Sequence, residues 1–463
     1  MRTLLSPSPC ANDQSARTAF YDLFNGHFSD DERENAADFL SLQLENASRL
    51  ECDLPSDSAD LEAWMENGVA TVGHQYRTYL QARKEGGERQ YFRNKVHALY
   101  FLKTVAPTKM VDGAWLYGLL SRWHDTRFLS LIQTYVEELG EGLSTKNHVV
   151  LFKKLLATQG IERWDDLRDE HYIQGTIQLA LAYNIDRFLP EVIGFNLGYE
   201  QLPLHLLISA YELKELGIDP YYFTLHITVD NADSGHAKKA VDAIAESMPR
   251  LGDADDWYRR VRLGYMLNEL GSSTRSVIDE FDLDAEMANI FARKGVVGQY
   301  AHSDYRQVNG RSVNDWLSEP SQSGALIGEM ERAGWFKRGE NPQNSRFWKL
   351  IKGEKAKMFG VFSAYEQQVI YDWIANGWRD DNKSKPILTP EAKRLLIQRA
   401  DDDDENALSH SDFDAEAREL RAQIAAATDI DETMKKLTAL MSPAQHHSAP
   451  GLMATRIFNA LMM

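Results

Sequence analysis

The densest grouping of residues able to do chemistry is residues 221–237, YYFTLHITVDNADSGHA. His226 and Asp230 stand four apart, and Asp233 and His236 follow His226 by seven and ten. On one helix, at about 100° per residue, these four side chains fall within an arc of roughly 120°. Phe223, Ile227 and Ala237 lie close to that arc, so it belongs to an apolar face. Two imidazoles and two carboxylates aimed at a core are costly unless they pair or bind a metal. Metal binding is the sharper expectation for four such groups on one face. The plainer one is a self-satisfied polar network, or the cap of a second helix starting near Asp230.

Two further segments can complete such a site. In residues 135–152, YVEELGEGLSTKNHVVLF, Glu138 precedes His148 by ten residues and Glu141 precedes it by seven, and both spacings return to about the same helix face. An acidic helix end followed by a serine cap explains the same residues without a metal. In residues 194–204, GFNLGYEQLPL, Glu200 interrupts an apolar run. Helices that bring glutamate, aspartate and histidine together assemble mixed carboxylate–imidazole boxes, which suit iron or manganese. Farther on, His302, Asp304 and Tyr305 are candidates for lining a substrate pocket, against the plainer reading of helix-end hydrogen bonding.

Helices must position these groups. Apolar residues recur at helical spacing over 16–23, 36–50, 63–85, 90–105 and 112–139, and, after a cap at Ser144, through His148 to 156. The same period continues over 173–183, 190–215, 220–247, 255–270, 285–291 and 365–376, with little strand-like alternation. The acidic run 401–405 reads as a solvated loop. Residues 442–451 read as a mobile linker to a short last helix.

Composition sets the outer bounds. The 463 residues are 43% hydrophobic and 10% aromatic, enough for a large core. A formal net charge of -18 disfavours nucleic acid and anionic membrane surfaces. Two cysteines, Cys10 and Cys52, cannot build a disulfide framework or a zinc–thiolate site, which fits a reduced cytoplasm. No apolar run approaches the ~18 residues that span a bilayer, and the first residues are a poor secretory signal.

The pattern of Glu138-Leu139-Gly140 followed by His148, with Glu200 and the segment from His226 through Asp230 to His236, resembles the haem-oxygenase-like diiron oxidases and oxygenases over roughly residues 90–245. The resemblance implies an all-α, haem-oxygenase-like helical bundle. Its expected parts are an N-terminal helical extension (1–86), a metal-binding core (87–250), a C-terminal helical region packed on the core (251–385) and an acidic loop with tail helices (386–463). It also implies that Glu138, His148, Glu200, His226, Asp230 and His236 hold ferrous iron, two ions per chain. Family members place the last histidine three residues after the aspartate, where this chain has Asp233. Either Asp233 takes that position, or a helical bulge near Gly235 turns His236 inward. Glu141 is an alternative to Glu138, and Asp112 is the candidate for an acidic ligand from an earlier element.

The implied activity is O2-dependent oxidation of a small molecule, such as an amino acid or fatty acid derivative, in a biosynthetic setting. An external electron donor and a homodimer belong to the same expectation. Three rivals stand beside it. A haem-degrading enzyme would need one axial histidine rather than several carboxylates. A thiaminase-like hydrolase would need a nucleophilic cysteine, and both cysteines precede the core. A helical binding or scaffold protein would use the polar cluster only structurally.

Overall fold

The computed structural model describes residues 15–229, 235–300, 305–353, 355–378 and 414–462. The chain is all-α: among the described residues the strands are Gln307–Val308 and Arg311–Ser312, a two-residue antiparallel ladder. Asp230, Asp233, His302, Asp304 and the acidic run 401–405 lie outside the described residues.

Two hydrophobic cores organise the helices. The first gathers α1 (Ala16–Phe24), α2 (Asp30–Ala47) and the start of α3 (Leu61–Lys84). The second gathers α4 (Lys95–Thr104), with Phe92, Leu99 and Leu102 fully or almost fully buried. After the single turn α5 (Ala106–Lys109), the chain returns to the first core through a 3-10 segment, Ala114–Arg122, and α6 (Leu129–Glu138). Helix α7 (His148–Thr158) belongs to the second core, while α8 (Ile173–Tyr183) and α9 (Ile185–Tyr199) belong to the first. Helices α10 (Leu204–Glu215) and α11 (Tyr221–Val229) again join the second, and α12 (His236–Ser247) and α13 (Ala254–Met266) the first. Glu191 of α9 and Arg260 of α13 bind each other through two contacts of 2.6 Å.

Helices α14 (Thr274–Asp279), α15 (Leu283–Gly298), α16 (Val313–Leu317), α17 (Ser323–Arg332), α18 (Arg346–Ile351) and α19 (Ala364–Ala375) extend the second core. The tail helices α20 (Ala415–Ala426), α21 (Ile430–Leu440) and α22 (Ala449–Met462) fold back onto the first.

The helix boundaries differ from the periodicity in five places. Residues 112–139 are not one helix: Gly113 adopts φ 80°, and the 3-10 segment and a turn precede α6. The cap of α7 is Asn147, not Ser144: its side chain accepts from the Val150 amide at 3.1 Å. The 190–215 helix is interrupted after Tyr199, because Pro203 disfavours helical backbone in the residue before it. Helix 220–247 is not continuous: α11 is described over Tyr221–Val229, and Gly235 is extended just before α12 starts at His236. Residues 442–451 are not a mobile linker: Ser442 and His446 are buried, and α22 already begins at Ala449.

Candidate metal centre

Four of the expected metal-binding residues sit at helix ends. Glu138 closes α6, His148 opens α7, Glu200 caps the C-terminus of α9 and His236 opens α12. His226 lies within α11, and Asp112 in the turn after α5. All six are buried. Gly113 lets that turn come close to α6: a Cβ there would lie 2.8 Å from Glu138 Cβ. The carboxylates of Glu138 and Glu200 stand at helix C-termini, where the aligned peptide dipoles add negative potential. A cation is the natural complement.

The side chains form two groups that share one residue. Asp112, Glu138, His148 and His226 each offer an atom within 4.8 Å of the others, and so do Glu138, Glu200 and His236. Glu138 Oε2 is 2.5 Å from His148 Nδ1, and its Oε1 is 3.3 Å from His236 Nδ1. Asp112 Oδ2 is 3.1 Å from His226 Nε2 and 3.8 Å from His148 Nδ1. Glu200 Oε2 is 3.1 Å from His236 Nδ1, and its Oε1 is buried with no hydrogen-bond partner among the described residues.

Tautomers sharpen this geometry. His226 Nδ1 lies 2.8 Å from the Tyr222 carbonyl, which only accepts, so Nδ1 carries the proton. His226 Nε2 then turns its lone pair toward a carboxylate oxygen. His236 repeats the arrangement: Nε2 donates to Glu137 Oε2 at 2.9 Å, and Nδ1 faces Glu138 and Glu200. A lone pair and a carboxylate this close repel unless they share a cation, either a proton or a metal ion. Three carboxylates and three imidazoles form a donor set that fits iron.

The neighbours reinforce the charge pattern. Tyr199 donates to Asp112 Oδ1 at 2.7 Å, Tyr222 donates to Oδ2, and Lys109 Nζ lies 2.8 Å from the Tyr199 hydroxyl. Burial pushes Asp112 up, but Lys109, His226 and His148 outweigh it and hold the carboxyl well below its ordinary range. Burial likewise opposes ionisation of Glu138, yet His148 and His236 bring it down. For Glu200 burial wins, and its pKa is raised. Burial, followed by the Asp112 charge, pushes both tyrosines well above their usual range.

Residues 99–269 match the family model described as iron-containing redox enzyme. That segment is similar to the family. No curated protein and no solved structure shows significant similarity to the chain. Every residue of the two groups lies inside the matched segment. Among the described residues no helix is long and apolar enough to cross a membrane.

Other expected site residues stand elsewhere. Glu141 is exposed, in a left-handed conformation at φ 55°, and does not join Glu138. Tyr305 is 95% exposed. An open groove of about 680 Å³ beside Lys95, Thr158, Trp348 and Asp372 includes none of the centre's residues. Sequence reasoning missed Glu137, although two adjacent glutamates at a helix end point about 100° apart. It also missed Tyr222 and Lys109. Each had a signal, one lying four residues before His226 and the other three before Asp112.

Proposed function

We propose that the centre would hold two non-haem irons, with Glu138 common to both positions, and that the protein uses O2 to oxidise a small molecule. The observation that carries this reading is the division of the Glu138 carboxylate, with one oxygen toward each group. Asp112, His148 and His226 would complete one position, and Glu200 and His236 the other. When bound, such an iron pair supplies electrons to O2 and the oxidising power that follows. The chain contributes charge and order: three carboxylates offset most of the charge of two ferrous ions, and Glu137 holds the proton of His236 on the side away from them. Burial of all six residues keeps bulk water out. A haem would call for one axial imidazole, whereas each imidazole here faces a carboxylate.

Anaerobic reconstitution with ferrous iron, iron analysis and Mössbauer spectroscopy test the reading. The expected result is about two irons per chain in a coupled pair, with His226→Ala losing iron sharply. Oxygen uptake with amino acids and fatty acids as candidate substrates tests the reaction class. A folded protein that takes up no iron, with O2 consumption absent, points instead to a helical binding protein.

A further inference from the structure

The tail helices lie outside residues 99–269, yet they are built into the frame of the centre. Asn147, fully buried, sits where the two meet. Its Oδ1 accepts from the Val150 amide at 3.1 Å and so caps α7, whose first residue is His148. Its Nδ2 donates to the Leu139 carbonyl at 3.1 Å, one residue after Glu138. The second Nδ2 hydrogen goes to His446 Nδ1, 3.0 Å away. One amide therefore ties the end of the Glu138 helix to the start of the His148 helix, and its last bond is supplied by the tail.

The tail is pressed against the same turn. At Gly142, φ 82°, a Cβ would lie 2.4 Å from the Leu452 carbonyl oxygen and 2.6 Å from Arg456 Cγ. Tyr135, on α6, donates to the Met441 carbonyl at 2.6 Å. His446 is 2% exposed, and its ring packs edge-on against His447, with centroids 5.3 Å apart.

We propose that His446 is a positioning residue of the metal centre. Its Nδ1 lone pair fixes the Asn147 amide, and through it the spacing between Glu138 and His148. Loss of that acceptor leaves a buried N–H unsatisfied, and the amide relaxes at the expense of its bonds to Leu139 or Val150. The inference rests on the reading of the centre as an iron site.

The test compares the full-length wild type with H446L, which cannot accept, and H446N, whose Oδ1 can take the place of Nδ1. Ferrous affinity, measured by chelator competition, is expected to fall about tenfold in H446L and to recover in H446N. The Mössbauer spectrum of one of the two irons should change in H446L and return in H446N. Asn147→Ser keeps a cap acceptor but cannot reach His446, and it should repeat the H446L result even if H446L does not fold. Unaltered affinity and spectrum in H446L or Asn147→Ser, or failure of H446N to rescue, overturn the inference. A wild type that binds no iron overturns the reading of the centre instead.

Discussion

Glu138 places one carboxylate oxygen 2.5 Å from His148 and the other 3.3 Å from His236. Among the described residues the two groups have no other member in common. Glu138→Ala should therefore empty both positions, whereas Glu200→Ala should leave the Asp112 side loaded. Iron analysis after reconstitution should read near zero for the first variant and about one per chain for the second. Equal losses in the two variants would contradict a bridging role.

Glu137 acts on the other side of His236. Burial alone would raise its pKa, but His236 and Lys239 outweigh burial and hold the carboxylate ionised. It accepts from His236 Nε2 at 2.9 Å and from Lys239 Nζ at 2.6 and 2.7 Å. Glu137→Gln keeps the shape and removes the charge that makes the ring a stronger donor to metal. Ferrous affinity should drop by roughly 10- to 100-fold with little change in the melting temperature. Chelator competition reads the affinity directly.

Gly113 is the position at which a single methyl group should be felt in the centre. Its φ of 80° and the 2.8 Å approach to Glu138 Cβ leave no room for alanine. Gly113→Ala should cost about 1–3 kcal/mol of stability in the iron-free protein. Urea unfolding of the apo forms measures this, and a wild-type midpoint would show that the turn can move aside.

The tail should be acid-sensitive. Burial, then Lys153, lowers His447 from 6.5 to about 4, and burial, then His447, lowers His446 well below its ordinary value. The unfolded tail therefore takes up protons before the folded one as the pH falls. Stability is level above about pH 6.5 and declines from there toward pH 4, by about 3 kcal/mol for His447 alone. Hydrogen exchange over residues 441–462, followed from pH 7 to pH 4.5, should show the tail opening first. His447→Gln should reduce that dependence.

The helical class was legible because helical periodicity survives small errors in element ends. The resemblance named a residue set of which Glu138, His148, Glu200, His226 and His236 are brought together, with Asp112. His226 and His236 do not share one continuous helix: the backbone is extended at Gly235, and the two histidines enter different groups. Helix ends carry most of the centre, and periodicity says least about ends. Glu138 and Glu141 had equal standing by spacing, and only the left-handed turn at Glu141 separates them. The contact of His446 with Asn147 joins residues 299 apart in sequence, beyond any local pattern.

The centre draws on both hydrophobic cores: His148 and His226 come from helices of the second, and Glu138, Glu200 and His236 from helices of the first. Ion uptake and cohesion between the cores are then linked functions, each drawing on the other. An ion that binds only the assembled form adds RT ln(1 + [L]/Kd), about 2.7 kcal/mol at a hundredfold excess over Kd. By reciprocity, a change that populates the separated form, however far from the carboxylates, weakens the hold on the ion in proportion to the assembled fraction lost. Iron retention is thus a gauge of how firmly the two halves of the molecule stay joined.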